Sequence, residues 1–561
     1  MSTIYIRESD TYRTRVEDVT NRKLFFYPVY RQARDCLKGI VSDTRRYQET
    51  QRRLASENRG RAEIDALDIR GYPNNIIAFC ADRGHGKTSA MISFSTALAR
   101  MNSHDPASFC DADKFWDENT KRSRFLVLDP IDPTAMEKTD SIIRTILSRM
   151  FQIFTKKPFS AYSDQEKREA GNDLLLSFQT CFRLADLQKD SQRRNDDYDD
   201  LQALSDLGDS ANFKGELNTL ISRYLAFMFN SEQGSADHFL VIQIDDADMN
   251  TDNAYEVVED LRKYCVLPNV IILFAADISL LEQTVEQYFV KSFLGIINAD
   301  VSGDPVSEYT AQISRERCHR TAISYLEKFI PGLHRINLPG IDAELRNTTH
   351  TIYLNMELPD AQQGRRASSF SGEYQQALIE LLRRKCLFSI PVSSSAELHP
   401  FLPKRMRELS HFVATIRSME DINCTHHQLL AWRVRGQNGR MFRPAVKRLE
   451  TNLELLQDYF LNRWCELRLN HREREAISHI HAAPTDKKVW AAIDALRRFF
   501  PEETELTNAH RDSGWSTLLS CIEHLESTQK RDFACAIRIY FHLFKDILMA
   551  YDYEEGGEQG E

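Results

Sequence analysis

The feature that most constrains the fold is a short apolar run that ends directly in a glycine-containing loop. The run is Ile76–Phe79, the loop carries Gly84 and Gly86, and residues 89–101 continue with helical periodicity. A buried strand followed by a tight loop and a helix is typical of a parallel sheet that helices cover on both faces. The chain is therefore expected to contain an α/β domain built around this unit.

Four further apolar runs are strand-like, and helical segments separate them. They are Phe125–Leu128, Phe239–Ile244, Val270–Phe274 and Arg335–Leu338. Together with the first run they predict a mostly parallel five-stranded sheet with helices on both faces. After about residue 373 only helical patterns occur, so an all-α C-terminal region is expected to follow.

A chain of 561 residues is too long for one compact core, so it is divided into several segments. The predicted segments are a helical segment at 1–70, an α/β core at 71–345 with a helical and acidic insertion at about 135–235, a helical lid at 346–425 and an all-helical interaction domain at 426–561. Two polar stretches, 191–200 and 361–372, are predicted to be surface loops because they cannot bury enough apolar surface.

Composition and charge exclude several classes of protein. The net charge of -10 argues against a surface that binds nucleic acid everywhere, although a local basic groove stays possible. No apolar run approaches the ~18–20 residues that cross a bilayer, and the N-terminus has no signal-peptide pattern. The 11 cysteines include no Cys-x-x-Cys pair, which favours free thiols in a reducing cytosol and predicts a cytoplasmic location.

The loop after the first strand has the residue types that a phosphate-binding loop needs. Glycines let backbone N–H groups point inward at φ values that other residues avoid. Lys87 can reach the outer phosphates and the Thr88 hydroxyl can bind Mg²⁺, at a helix N-terminus whose dipole favours anions. Such a sequence can also arise by chance in a strand–helix turn, but its position favours ATP·Mg²⁺ as the ligand. The residues assigned to the nucleotide are Asp82, Arg83, Gly84, His85, Gly86, Lys87, Thr88 and Ser89.

Two adjacent carboxylates, Asp245 and Asp246, follow the third strand-like run. A carboxylate at the end of a buried strand next to the phosphate-loop strand is placed to hold Mg²⁺. Asp245 is therefore predicted to hold the metal through water, and Asp246 to polarise or position the attacking water. The alternative is that the acid pair caps a helix beginning near Asp252.

These motifs resemble the AAA+/STAND side of the P-loop NTPases, and most closely the KAP family of bacterial NTPases. The resemblance covers about residues 70–420. It rests on the segments Asp82–Ser89, Ile244–Asp248, Asn269–Asp277, Tyr325–Ile330 and Ile336–Pro339. Many KAP proteins carry membrane helices between the two nucleotide motifs, whereas this chain has a polar insertion there, so no membrane attachment is expected.

The resemblance also implies two further site residues. A sensor residue near the γ-phosphate maps to Asp277, at the end of the fourth strand-like run. A sensor arginine on the helical lid maps to Arg405 in the segment Leu402–Leu409, with Lys404 and Arg407 as neighbours that can take the same role.

As a whole, the resemblance implies an ATP-hydrolysing switch in a bacterial antiphage-defence complex that acts with a separate effector protein. It also implies a homo-oligomer, either a ring or a filament, in which Arg315, Arg317 or Arg320 reaches the next protomer. The alternatives are a nucleic-acid-dependent AAA+ loader or remodeller, and a scaffold that binds ATP without turnover. For the loader, the basic and aromatic loop Trp432–Arg443 could grip a nucleic acid, although it also fits a solvated loop.

Overall fold

The protein is described here from a computed structural model that forms two compact units. The α/β unit is Arg13–Pro339, and the C-terminal unit combines Met1–Tyr12 with Gly340–Glu561. Strand β1 (Ser2–Arg7) belongs to the C-terminal unit. The residues that the structure describes are 2–7, 16–57, 74–102, 115–137, 140–156, 165–190, 200–250, 253–299, 305–346, 350–358, 368–388, 390, 398–422, 424, 428, 439–483, 488–497, 499, 514–527 and 530–551.

The α/β unit contains a five-stranded sheet in which every neighbouring pair of strands is parallel. Its strands are β2 (Ile76–Cys80), β3 (Arg124–Val127), β4 (His238–Asp245), β5 (Val270–Ala276) and β6 (Arg335–Asn337). The order across the sheet is β3-β4-β5-β2-β6. All five predicted strands are confirmed, but one adjacency is wrong: β5 lies between β2 and β4, so the aspartate strand is not next to the phosphate-loop strand.

Helices surround this sheet, which explains why its strands are apolar on both faces. Every residue of β2 and β5 is buried, and so is every residue of β4 up to Ile244. The helices are α1 (Tyr27–Glu57), α2 (Lys87–Arg100), α3 (Glu118–Arg122), α4 (Ile142–Thr155), α5 (Gln165–Asp190), α6 (Asp200–Phe229), α7 (Ala254–Asp260), α8 (Ile278–Ala299) and α9 (Pro305–Phe329).

The insertion between β3 and β4 packs into the same core as the sheet. Met150 in α4, Phe178 in α5 and Tyr224 in α6 are buried in one cluster with β4 and β5. The Tyr224 hydroxyl donates to the Met150 carbonyl at 2.9 Å, so the buried phenol is satisfied. The predicted insertion helices are confirmed as α4 and α5, whereas the predicted polar loop 191–200 lies outside the described residues except for Asp200, the first residue of α6.

Helix α1 is also part of the α/β unit. Arg45 forms an ion pair with Asp237, just before β4, at 2.6 Å, and Gln48 donates to Asn269, just before β5, at 2.6 Å. The predicted segment 1–70 is therefore divided: residues from Arg13 onward join the α/β unit, and β1 joins the C-terminal unit.

The C-terminal unit contains a three-stranded sheet that the sequence patterns do not predict. Strand β7 (His350–Leu358) pairs in parallel with β1 and antiparallel with β8 (Ser368–Glu373). Three expectations are thereby corrected: residues 2–7 form a strand, the predicted helical lid at 346–425 contains strands β7 and β8, and part of the predicted loop 361–372 is strand β8. The sequence patterns do not predict these strands because β8 is rich in serine, and because β1 pairs with a segment that is remote in sequence.

The other elements of the C-terminal unit are helices. They are α10 (Ile341–Arg346), α11 (Tyr374–Cys386), α12 (Met406–Ser418), α13 (Gly439–Tyr459), α14 (Cys465–Arg468), α15 (His471–Ala482), α16 (Lys488–Arg497), α17 (Gly514–Ser527) and α18 (Arg531–Tyr551). A π-helical turn, Phe460–Trp464, joins α13 to α14. From residue 439 onward the described residues include no strand, which agrees with an all-α C-terminal region. In the described part of the whole chain, no helix has the length and apolarity to cross a membrane.

A buried ion pair fixes the turn that precedes α12. The Arg468 and Glu408 side chains are only 4% and 5% exposed, and an Arg468 Nη2 to Glu408 Oε2 distance of 2.6 Å joins them. Arg468 also donates to the carbonyls of Pro400 and Leu402, at 2.7 and 2.9 Å. Because these bonds compensate both buried charges, the pair anchors the backbone beside Arg405.

Replacing Arg468 with Met should strongly destabilise the C-terminal unit. Removing one partner of a buried ion pair leaves an uncompensated charge, which costs about 3–5 kcal/mol. The measurement is urea unfolding of the full chain, with Arg463→Met, at an exposed position of the same helical segment, as the matched control.

The double variant Arg468→Met/Glu408→Met should recover part of the loss, because no lone charge then remains buried. If Arg468→Met unfolds at the same urea concentration as Arg463→Met, the ion pair does not anchor this turn.

Candidate nucleotide-binding site

The loop between β2 and α2, residues 81–86, is shaped by two glycines with left-handed backbones. Gly84 has φ 88° and Gly86 has φ 91°, a region that other residues rarely adopt. A Cβ on Gly86 would also lie 3.0 Å from the ring of Phe26, a buried residue that precedes α1. Glycine is therefore required at position 86 by backbone conformation and by the close approach of Phe26.

Lys87 is the first residue of α2, and its side chain turns back over the loop. The residue is 6% exposed, and its Nζ donates to the Ala81 carbonyl at 2.9 Å. The ammonium group of the predicted lysine thus lies against the loop, at the N-terminus of a 14-residue helix, where the helix dipole favours an anion.

Thr88 contacts the first of the predicted carboxylates. Its hydroxyl donates to Asp245 Oδ1 at 3.0 Å, and the Asp246 N–H donates to the same oxygen at 3.1 Å. The contact spans the end of β5, because carboxyl ends of parallel strands meet at one edge of a sheet. Burial and the neighbouring Asp246 charge together raise the pKa of Asp245 to about 6, against the opposing effect of the Thr88 hydrogen bond.

Asp246 adopts a left-handed conformation, φ 50°, that turns the chain at the end of β4. Its side chain makes no capping bond to the 3₁₀ turn Ala247–Met249 that follows. The alternative role for the acid pair, capping a helix near Asp252, has no support: α7 begins at Ala254, the N–H of Asn253 is bonded to Asn250 at 3.2 Å, and Asp252 itself lies outside the described residues.

Asp248 is a further carboxylate at this edge, and sequence reasoning gave it no role. It is 2% exposed, and its Oδ1 has no hydrogen-bond partner among the described residues. Burial raises the pKa of Asp248, whereas the Lys87 charge and the backbone N–H of Asp277 lower it. The sequence signal was the third acid in Ile244–Asp248, three positions after Asp245.

Asp277 follows β5 directly and caps α8. Its Oδ1 accepts from the N–H groups of Ser279 and Leu280, at 3.0 and 3.3 Å. Asp277 also raises the pKa of Cys80, the last residue of β2, in the same direction as the larger effect of burial. The structure therefore places Asp277 at the same edge of the sheet, with one carboxylate oxygen committed to the helix cap.

The predicted arginines are not part of the loop or of the strand ends beside it. Arg405 belongs to the C-terminal unit, where it precedes α12 with its Nε 4.0 Å from Glu408 Oε1. Arg315, Arg317 and Arg320 are exposed on α9, as predicted for a helix there. Of the loop Trp432–Arg443, residues 432–438 lie outside the described part, and α13 begins at Gly439.

The oxygen atoms of Thr88 and Asp245 suit a magnesium ion whose other ligands come from a nucleotide and from water. Mg²⁺ keeps several waters and takes one or two protein oxygens together with substrate phosphates. Among the described residues, no group of three or more His, Cys, Asp or Glu side chains could hold a metal alone. The donor set therefore suits a metal that enters with a phosphate ligand.

No model of a known protein family matches the chain, and no curated protein is significantly similar to it. The functional assignment therefore depends on the geometry of the loop and of the adjacent carboxylates.

Asp245→Asn should raise the melting temperature at neutral pH. The folded pKa of Asp245, about 6, exceeds the ordinary value of 3.8, so the ionised carboxylate is less favourable in the fold than in the unfolded chain. This destabilisation is fully present above about pH 6 and disappears as pH falls toward 4. Asn keeps the acceptor for Thr88 and removes the charge, which should stabilise by on the order of 1–2 kcal/mol after solvent screening.

The measurement is thermal unfolding at about pH 7.5 and about pH 5, with a chelator and without nucleotide. Asp129→Asn, at an exposed position just after β3, is the control. An equal gain at both pH values, or a loss at the higher one, would contradict the assigned pKa.

Proposed function

We propose that the chain is an ATPase, a P-loop NTP phosphohydrolase that binds ATP with Mg²⁺ and uses its turnover as a switch. The observation that carries the proposal is the hydrogen bond from Thr88 to Asp245 at 3.0 Å. It joins the hydroxyl of the phosphate loop to the acid of a separate strand, which are the two protein groups that hold a nucleotide-bound metal in P-loop enzymes. A chance glycine loop would have no reason to meet a carboxylate from β4.

Phosphate binding is assigned to residues 82–89. The N–H groups around Gly84 and Gly86 would surround the β-phosphate, and the N-terminus of α2 adds its dipole. Lys87 would move its Nζ from the Ala81 carbonyl to the outer phosphates, since a charged phosphate oxygen is a stronger acceptor than a neutral carbonyl.

The hydrolytic step is assigned to the carboxylates at the end of β4. When bound, Mg²⁺ would neutralise charge on the β- and γ-phosphates, with Thr88 and Asp245 as its protein partners. Asp246 would accept a proton from the attacking water or hold that water in line. Asp277, fixed at the end of β5 by its capping bonds, is the proposed sensor of the γ-phosphate.

The transition state also needs an arginine, which P-loop enzymes take from their own chain or from a neighbour. Arg405 is the proposed intrinsic arginine. Arg315, Arg317 and Arg320 are the proposed intermolecular ones in a homo-oligomeric ring or filament, and their exposure on α9 supports this role.

The proposed setting follows from the resemblance to the KAP family. It is a cytoplasmic antiphage-defence complex in which this ATPase subunit controls a separate effector protein. The alternative is a nucleic-acid loader, for which stimulation of ATPase activity by DNA or RNA at low salt is the test.

Lys87→Ala should weaken ATP binding by roughly 10–100-fold, because a charge-assisted contact contributes about 1.5–3 kcal/mol. Titration calorimetry with ATP and Mg²⁺ measures the dissociation constant. Lys291→Ala, which removes an exposed lysine from α8, is the matched control and should bind like the parent. Equal ATP affinity in Lys87→Ala and in the parent would show that the loop is not the phosphate site.

Asp246→Asn should retain ATP and Mg²⁺ binding but lose turnover by roughly 10²–10⁴-fold, because an amide cannot accept a proton from water. The comparison is Asp245→Asn, which should instead raise the Mg²⁺ concentration needed for half-maximal activity. Phosphate release under saturating ATP is the assay. Parental turnover in Asp246→Asn would place the water elsewhere, and a parent protein that binds ATP without releasing phosphate would favour the scaffold alternative.

A further inference from the structure

The C-terminal unit contains a cavity, the α13–α15 groove, whose volume is about 1360 Å³. It lies between α13 and α14 on one side and α15 and α16 on the other. Pockets for small molecules have volumes of about 300–1,000 Å³, so this space exceeds what a single cofactor needs. Most of its lining residues are exposed, and the groove is therefore accessible to a segment of another molecule.

The wall formed by α13 and α14 is acidic. Glu454 and Asp458 are exposed four residues apart on α13, and Glu466 is exposed on α14. Residues at a spacing of four lie on the same face of a helix, so the first two charges repel each other. Within the described part of the chain, no ion pair joins any of the three carboxylates to a cation, and Asp458 accepts a neutral hydrogen bond from Asn462 Nδ2 at 2.5 Å. This wall therefore favours a ligand that supplies positive charge.

The opposite wall, formed by α15, has mixed charge. It contributes Arg472, Arg474 and Glu475, so the groove as a whole contains four carboxylates against two guanidinium groups. The guanidinium of Arg474 is incompletely satisfied, since its buried Nε–H has no hydrogen-bond partner among the described residues. A buried donor without an acceptor is costly. This wall therefore suits a ligand that carries acceptor oxygens as well as cations.

Other classes of ligand fit the groove less well. Three histidines, His471, His479 and His481, line it, but the described residues include no group of His, Cys, Asp or Glu that could hold a metal ion. At the N-terminus of α15, the N–H groups of Asn470 and Glu473 are already bonded in a reciprocal capping box, which leaves that helix end less suited to an anion. The excess of carboxylates also repels phosphate groups, which disfavours a nucleic acid.

We propose that the α13–α15 groove binds a basic, extended peptide segment of a partner protein. Lysine or arginine side chains of the segment pair with Glu454, Asp458 and Glu466, and its backbone carbonyl oxygens accept from Arg474. An extended segment points successive side chains in opposite directions, and each of its residues also presents a carbonyl. One segment can therefore serve both walls. The groove and the phosphate loop belong to different compact units, and the inference is independent of the proposed ATPase activity.

The probe is a fluorescein-labelled peptide of alternating Lys and Ser, about 12 residues long, which spans roughly 40 Å when extended. A peptide of alternating Glu and Ser is its counterpart. Fluorescence anisotropy with the full-length protein at low salt measures both dissociation constants. The parent should bind the Lys/Ser peptide and not the Glu/Ser peptide, and added salt should weaken the binding because exposed ion pairs are screened.

Glu454→Gln/Asp458→Asn should bind the Lys/Ser peptide roughly tenfold more weakly, which corresponds to about 1.4 kcal/mol. The amides keep the size of both side chains and an acceptor for Asn462. The matched control is Glu523→Gln/Glu526→Gln, which removes the same charge from exposed positions of α17 outside the groove and should bind like the parent.

Arg474→Met separates a specific site from general attraction between opposite charges. The substitution makes the groove more negative, so general attraction predicts tighter binding of the Lys/Ser peptide, whereas loss of the carbonyl contact predicts weaker binding. Thermal melting verifies that each variant is folded. If Arg474→Met does not fold, the two double variants alone decide the question.

The expected result is weaker binding in Arg474→Met and in Glu454→Gln/Asp458→Asn, with parental binding in the α17 control. A parent that does not bind the Lys/Ser peptide, unchanged binding in Glu454→Gln/Asp458→Asn, an equal loss in the α17 control, or tighter binding by a folded Arg474→Met would overturn the inference. None of these outcomes affects the ATPase proposal.

Discussion

The hydrogen bond between Thr88 and Asp245 is the interaction on which the candidate site depends. It connects the first turn of α2 to the last residue of β4, and it can form only if both strands point their carboxyl ends to one edge of the sheet. Two left-handed residues make this possible, Gly86 before α2 and Asp246 after β4. Backbone conformations of this kind persist where the surrounding structure enforces them, and they concentrate at functional sites.

Strand β5 lies between β2 and β4 and leads directly into Asp277, a further residue of the candidate site. Its last residues separate the phosphate loop from the aspartate strand, and the residue that follows it, Asp277, caps α8. Asp245, the last residue of β4, accepts a hydrogen bond from Thr88, and Asp248 in the turn that follows is buried.

Much of the α/β unit could be predicted because its signals are local. A buried strand is a continuous apolar run, and a phosphate loop requires particular residues at fixed spacing, so β2, β4 and the loop between Ala81 and Lys87 were recognisable. Strand adjacency was not, because the placement of β5 between β2 and β4 is a property of the whole sheet. For the same reason the sequence predicted no role for Asp248, although this acidic residue follows Asp245 by only three positions.

In the C-terminal unit, too, local features could be predicted and long-range pairing could not. The helices after residue 373 were predicted as a region, since helical periodicity marks them. The sheet of β1, β7 and β8 was missed because its strands come from distant parts of the chain, and because serine-rich β8 lacks an apolar pattern. The buried ion pair between Arg468 and Glu408 could not be predicted from the sequence either, because each residue alone is typical of a helix surface.

The most direct test is a structure of the protein with a non-hydrolysable ATP analogue and Mg²⁺. The prediction is that the β- and γ-phosphates lie over Gly84–Thr88, that Mg²⁺ binds the Thr88 hydroxyl with Asp245 beside it, and that Lys87 leaves the Ala81 carbonyl for the phosphates. An analogue bound elsewhere, or one bound at the loop while Lys87 keeps its bond to Ala81, would contradict the assignment.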